Sequence, residues 1–292
     1  MLPIDYFLAS PSPLSFYSMV VSEAGIEVER EISYGPDRRH VLDVYRPSGS
    51  AGQNRDQGPI VIFLYGGGWK NGHRSAYGFA GAAFAARGFT TVIPDYRLFP
   101  EVTFPKFVED AALAYGFVAR HFARAGAQAN GSRRPIVLVG HSAGAHIAAL
   151  LALDRRYLER ATPDGIEPLA WIGLAGPYAF DPTALPSTRP IFAGVASADV
   201  TRPVTFARPN APATLLMHGI PDSVVKLSNM RTLADVLTKA GSVVETIEAP
   251  DVGHMGLVLA ISKPFRWRAP VLDKAVDFIA RHAASANGVR RP

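Results

Sequence analysis

The chain has 292 residues, 48% of them hydrophobic and 19% charged, which suits one large globular domain with a substantial core. It contains no cysteine, and this excludes disulfides, thiolate metal sites and cysteine nucleophiles. The net charge of +5 comes from scattered basic residues, so we expect no nucleic-acid partner.

The first 24 residues are an apolar N-terminal extension. They lack a basic n-region and carry Asp5, so they do not resemble a signal peptide. No apolar run reaches the length of about 18 residues that a membrane span needs. We therefore expect a cytoplasmic protein. The extension could cap a site or dock on a neighbour, and the oligomeric state is not predicted.

The predicted elements alternate between strands and helices. Residues 28–34 and 40–46 show the alternation of paired edge strands, and the polar segment 48–58 predicts a turn. The apolar run 59–65 ends in glycines, which indicates a strand buried on both faces of a parallel sheet. Further strands are predicted at 89–94, 135–140, 169–175, 213–218 and 243–248, and helices at 75–87, 104–125, 143–153, 224–240 and 271–284.

This order predicts a single α/β domain over residues 1–292, with a mostly parallel central sheet and helices on both faces. Residues 177–212 break the rhythm, being rich in proline and without clear periodicity. They predict either a small lid over the site or an ordered surface connection.

The pentapeptide Gly140-His-Ser-Ala-Gly144 follows a predicted strand and precedes an alanine-rich helix. A serine on such a sharp turn projects its hydroxyl from the sheet, and small flanking residues are needed to fit the turn. The helix N-terminus also favours developing negative charge. Ser142 is therefore the predicted nucleophile.

A serine hydroxyl needs a base, and the base needs a carboxylate to orient it. Among the eight histidines, His254 lies in a loop after the last predicted strand, where such a base is needed. Asp222 follows the strand 213–218, and we favour it by position over Asp251 and Asp199. The chain order Ser142, Asp222, His254 is typical of an α/β-hydrolase triad.

Three glycines, Gly66 to Gly68, follow the buried strand 59–65. Without side chains their amides can approach a substrate oxygen closely, so Gly67 and Gly68 together with Ala143 are the predicted oxyanion hole. Tyr65 and Trp69, which flank the glycines, are predicted to contact the substrate. No metal site and no cofactor are predicted.

Three blocks carry a family resemblance: residues 64–69 (LYGGGW), residues 95–98 (DYRL) with Phe104-Pro105 and Asp110, and residues 140–146 (GHSAGAH). With them the chain resembles the α/β-hydrolase superfamily from about residue 28 to 282, in its hormone-sensitive-lipase-like and kynurenine-formamidase-like carboxylesterase branch. The resemblance implies ester hydrolysis through an acyl-enzyme without a cofactor, and a structural role for Asp95-Tyr-Arg97. The family usually has histidine, which orients the oxyanion loop, where this chain has Tyr65; a hydrogen bond from its hydroxyl would preserve that role.

These features predict a serine hydrolase that cleaves small carboxylic esters, with a small-molecule ester or amide as its substrate. Aryl-formamide hydrolysis, for example of an N-formylkynurenine-like substrate, is the first alternative because its chemistry is the same. A non-catalytic small-molecule binder on the same scaffold is the second.

Overall fold

The computed structural model describes residues 14, 17–18, 23–48, 58–124, 133–162 and 165–288. Its centre is an eight-stranded sheet in the order β1-β2-β4-β3-β5-β6-β7-β8. The strands are β1 Ile26–Ser33, β2 Val41–Pro47, β3 Ile60–Leu64, β4 Thr90–Pro94, β5 Ile136–His141, β6 Ala170–Leu174, β7 Ala213–Gly219 and β8 Val244–Ala249. Strand β2 pairs antiparallel with both neighbours, and the pairs from β4 to β8 are all parallel. This confirms the predicted fold class.

The helices that connect the strands are α1 Gly78–Ala85, α2 Lys106–His121, α3 Ala143–Leu153, α4 Arg155–Ala161, α5 Ser228–Lys239, α6 His254–Leu259 and α7 Val271–Gly288. Within the described residues, 3₁₀ segments accompany them at Arg74–Tyr77, Ala198–Thr201, Pro203–Phe206 and Lys263–Arg268. Strands β3, β4, β5 and β6 are buried at every residue. A strand covered on both faces needs apolar residues at consecutive positions, which is why these segments are apolar without alternation.

Two predicted elements differ from the observed ones. The helix predicted at 224–240 begins only at Ser228, because the Asp222 carboxylate accepts the amide hydrogens of Val224 and Val225 and holds them in a turn. His254 was expected in a loop, but it is the first residue of α6. The short helix α4 was not predicted.

Of the N-terminal extension, the structure describes Leu14, Tyr17, Ser18 and residues 23–24. The Tyr17 ring packs edge-on against Phe79, with the ring centroids 5.6 Å apart, and the Ser18 hydroxyl accepts the Phe79 amide at 3.0 Å. These residues therefore contact the chain's own α1. The rest of the extension, and most of the turn predicted at 48–58, lie outside the described residues.

Candidate active site

Ser142 occupies a strained turn between β5 and α3. Its φ of 53° lies in the left-handed region, which residues with a side chain rarely adopt. The flanking glycines permit the close packing around this turn: a Cβ on Gly140 would lie 2.4 Å from the Gly144 carbonyl oxygen, and one on Gly144 would lie 2.1 Å from that of Leu64. Neither position has room for a side chain, which explains why the pentapeptide has glycine at its first and last positions.

The structure brings the three predicted triad side chains into one hydrogen-bonded chain. His254 Nε2 lies 2.9 Å from Ser142 Oγ, and His254 Nδ1 lies 2.8 Å from Asp222 Oδ2. The three residues follow β5, β7 and β8 respectively, and the carboxyl ends of parallel strands share one edge of the sheet. Residues more than 100 positions apart thus meet at this edge.

The Asp222 carboxylate is enclosed by donors. Its Oδ1 accepts the amide hydrogens of Val224 and Val225, both at 2.9 Å. Its Oδ2 faces His254 and also His218 Nε2, which is 3.3 Å away and donates to the Val225 carbonyl at 2.9 Å. His218, at the end of β7, is not among the site residues predicted from the sequence. Its position four residues before Asp222 was the available signal.

The rival carboxylates lie elsewhere. Asp199 lies in a 3₁₀ turn, where its backbone amide donates to the Ser197 hydroxyl, and its carboxylate pairs with Arg202 at 3.4 Å. Asp251 is exposed, and its carbonyl accepts a hydrogen bond from Arg268. Of these three aspartates, Asp222 is therefore the one in contact with His254.

His141, within the pentapeptide, supports His254 from below. Its Nε2 lies 3.2 Å from the His254 carbonyl, and its Nδ1 lies 3.2 Å from the Tyr77 hydroxyl. Burial, and next the nearby His254, lower the pKa of His141 to about 3. Burial likewise lowers the pKa of His146 to about 4, where its Nε2 contacts the Thr201 carbonyl at 2.7 Å. Both rings are therefore neutral near pH 7.

These two buried histidines predict acid sensitivity. Their usual pKa is about 6.5, so below that pH the unfolded chain binds protons that the folded chain does not bind. The free energy of unfolding should fall by about 1.4 kcal/mol per pH unit for each histidine between about pH 6 and pH 5. Urea titrations at several pH values across this range give the free energy of unfolding as a function of pH. In His146→Gln this free energy should fall less steeply with decreasing pH, by the equivalent of about one proton. Equal slopes for the variant and the wild type would contradict the assignment.

The glycine loop after β3 passes directly over the nucleophile. A Cβ on Gly66 would lie 3.0 Å from Ser142 Cβ, and one on Gly67 would lie 2.0 Å from the Asn71 carbonyl oxygen. Gly67 and Gly68 have φ values of 144° and 61°, and a Cβ on Gly68 would meet open space. Among the described residues, no hydrogen bond occupies the amides of Gly67 and Gly68. The loop thus combines free donors with a close approach to Ser142.

Tyr65 lies behind this loop and has no exposed surface. Its hydroxyl donates to Asp95 Oδ1 at 2.8 Å and accepts from Arg39 at 2.9 Å. The same Arg39 nitrogen also donates to the Gly72 carbonyl at 3.0 Å, so one guanidinium links the two ends of the glycine loop. The Tyr65 hydroxyl thus anchors the glycine loop from inside, and a substrate contact by Tyr65 stays a prediction.

Trp69 is also buried, with 4% of its surface exposed and a φ of 59°. Its ring packs edge-on against Phe192 and His146, at centroid distances of 5.0 and 5.1 Å, and lies parallel to Phe180 at 6.4 Å. Within the described chain its indole Nε1 has no hydrogen-bond partner. A substrate contact by Trp69 stays a prediction.

The proline-rich segment 177–212 supplies part of this aromatic wall. Ile191 and Phe192 are buried, and the Asn229 side chain accepts the amides of Ala179 and Phe180 at 2.9 and 3.1 Å. The segment therefore packs on the glycine loop through Phe192, which contacts Trp69, and it is tied to α5 by the Asn229 side chain. Its role as a lid stays a prediction.

Two kinds of feature are absent from the described ranges. These ranges contain no group of three or more His, Asp or Glu side chains arranged to hold a metal ion. No helix among them is long and apolar enough to cross a bilayer.

Comparisons with known proteins show similarity to esterases. The BD-FAE family model matches residues 42–166. Isoprenylcysteine alpha-carbonyl methylesterase ICME of Arabidopsis thaliana is 29% identical over 291 residues, covering 91% of this chain and 64% of that protein. Esterase LipC of Mycobacterium tuberculosis is 28% identical over 245 residues, covering 77% of this chain and 59% of that protein.

A solved structure, esterase B from Lactobacillus rhamnosis, superposes with a TM-score of 0.72 at 18% identity, covering 92% of this chain and 90% of that one. The chain spans about half the length of the first plant relatives it matches, from 35% to 64%. The sheet topology, the serine elbow and these similarities agree. The chain has the α/β-hydrolase fold, and it resembles hormone-sensitive-lipase-like carboxylesterases in sequence.

Proposed function

We propose that this protein is a serine carboxylesterase that hydrolyses small carboxylic esters through an acyl-enzyme. The observation that carries the proposal is the continuous chain of contacts from Ser142 Oγ through His254 to Asp222, at 2.9 and 2.8 Å. These distances are within the reach that proton transfer to a general base requires. The relatives named as esterases support the same chemistry.

The first half-reaction acylates the serine. Ser142 Oγ attacks the ester carbonyl carbon as His254 Nε2 takes the hydroxyl proton, and a tetrahedral oxyanion forms. The C–O bond to the alcohol then breaks, and His254 returns the proton to the departing alkoxide. In the second half-reaction a water molecule, deprotonated by His254, attacks the acyl-enzyme and releases the acid and free Ser142.

The oxyanion of both half-reactions would be held by backbone amides of Gly67, Gly68 and Ala143. The two glycine amides are unoccupied in the described structure, and Ala143 begins α3, where helix N–H groups have no internal partner. Preorganised donors of this kind contribute about 10²–10³-fold to turnover each. The anchor formed by Tyr65, Arg39 and Asp95 would keep the loop in place during the reaction.

The substrate would be small on its acyl or alcohol side, since bulky aromatic side chains fill the space next to the glycine loop. Trp69 packs there against both Phe180 and Phe192. We expect p-nitrophenyl acetate and butyrate to be hydrolysed faster than the octanoate. The measurement is initial rates over the three esters, with N-formylkynurenine in parallel.

The panel separates the proposal from its rivals. A formamide rate above all ester rates would replace ester hydrolysis with aryl-formamide hydrolysis. An absence of turnover, together with no reaction with a fluorophosphonate probe, would overturn the enzyme proposal in favour of a binding protein.

A further inference from the structure

Large apolar side chains are exposed around the carboxyl-terminal ends of β7 and β8. Ile220 and Val224, which flank Asp222 on the loop after β7, are 50% and 70% exposed. Met255, directly after His254, is 41% exposed, and Trp267 is 82% exposed. We call these four residues the rim patch. Only two other large apolar side chains in the described ranges, Leu185 and Val243, are comparably exposed, so this surface concentrates them.

Trp267 belongs to this edge because of the element that carries it. It lies on the 3₁₀ segment Lys263–Arg268, which packs against α6, the helix that begins at His254. The neighbouring Arg268 donates to the Asp251 carbonyl at 3.1 Å, and Asp251 is three residues before His254. The exposed indole is thus held beside the loop that carries His254, with the Arg268 guanidinium 6.0 Å from its ring centroid.

The charges beside the rim patch are mostly positive. Lys226, Lys263 and Arg268 are exposed, and within the described part of the chain none of them pairs with a carboxylate. The exposed Asp251 offsets one of these charges, whereas Glu248 is paired with Arg231 at 2.7 Å. An apolar patch with unpaired cations complements a surface that is apolar inside and anionic outside.

We infer that the rim patch docks this protein on the anionic headgroup surface of a lipid bilayer. Trp267 enters the headgroup layer, where an amphipathic indole is most favourable, and the three cations contact lipid phosphates. Because the rim patch surrounds Asp222 and His254, docking places this edge of the sheet against the lipid. Docking of this kind needs no substrate, so binding to vesicles measures it directly.

The test uses Trp267 as its own reporter. The chain has three tryptophans, and the other two are 4% and 0% exposed, so a change in polarity at the surface is reported by Trp267. We expect a blue shift of the emission, and co-sedimentation, with phosphatidylglycerol–phosphatidylcholine vesicles. Pure phosphatidylcholine vesicles should give little of either, and high salt should reverse both effects. No shift and no co-sedimentation with anionic vesicles would overturn the inference.

Two variants separate the apolar and the cationic contributions. Trp267→Ala should abolish most co-sedimentation. Lys226→Gln with Lys263→Gln should weaken the apparent affinity for anionic vesicles about 25-fold, since each cation near such a surface contributes about fivefold. The matched control, Lys239→Gln with Arg281→Gln, removes two charges from the far edge beside the start of β8 and should retain wild-type binding.

Two further outcomes would show that the rim patch does not bind lipid. Equal losses in the charge variant and its control would show that net charge, and not this patch, drives binding, and would overturn the inference. A blue shift that grows with protein concentration in the absence of vesicles would assign the patch to a second copy of the chain instead. Turnover of p-nitrophenyl acetate should be unchanged in Trp267→Ala, so a loss of vesicle binding is distinguishable from a loss of activity.

Discussion

Ser142→Ala should lower kcat for p-nitrophenyl acetate by about 10⁴–10⁶-fold. The substitution removes the atom that forms the acyl bond, while its small volume leaves the strained turn and the oxyanion donors in place. The remaining rate should come from substrate binding and the backbone amides alone. Stopped-assay rates with purified enzyme, checked against circular dichroism of the folded variant, measure the loss.

The triad also predicts a failure of additivity. Ser142→Ala combined with His254→Ala should be no slower than Ser142→Ala alone, because the base has no hydroxyl left to activate. The fluorophosphonate probe should label the wild type and not Ser142→Ala. A Ser142→Ala enzyme within tenfold of the wild type would contradict the assignment of the nucleophile.

Asp222→Asn should lower kcat by about 10⁴-fold, a large loss for an isosteric change. The physical reason lies in the donors around the carboxylate. The two amides on Oδ1, from Val224 and Val225, require an acceptor there and so fix the orientation of the new side-chain amide. Its NH₂ group then faces His254 Nδ1, which must accept instead of donate. The ring proton moves to Nε2, and the lone pair that would take the Ser142 proton is lost.

A matched control exists on the neighbouring loop. Asp251→Asn makes the same change of charge three residues before His254, at an exposed carboxylate. It should keep kcat within about twofold of the wild type, as surface substitutions away from contacts usually do. Loss of activity in Asp251→Asn with retention in Asp222→Asn would reverse the assignment of the carboxylate.

The sheet and the serine turn could be predicted because their requirements are local. A strand covered on both faces is mostly apolar without alternation, and β3 to β6 show this directly in the sequence. The pentapeptide is equally local, since Gly140 and Gly144 stand where any Cβ would meet backbone within 2.5 Å. The chain order of the three triad residues could also be stated, because each follows a strand of a parallel sheet.

The contacts behind the site could not be predicted, since they join residues that are distant in sequence. Tyr65 stands next to three glycines and was expected to meet the substrate. Its burial follows from Asp95 after β4 and from Arg39 before β2, which the sheet order brings behind the glycine loop. The start of α5 was predicted four residues early for a related reason, because helix propensity ignores a carboxylate that binds two amides in the preceding turn.

By itself the sequence determined the α/β alternation, the buried parallel strands and the serine on a turn between small residues, because hydrophobic pattern and backbone sterics act within a few residues. The tertiary structure decided which carboxylate meets His254, the contact of His218 with that carboxylate, the anchoring role of Tyr65, and the clustering of Ile220, Val224, Met255 and Trp267 at one edge. The physical reason is that each of these depends on contacts between elements that are distant in sequence, and these contacts form only when the strands pair in order.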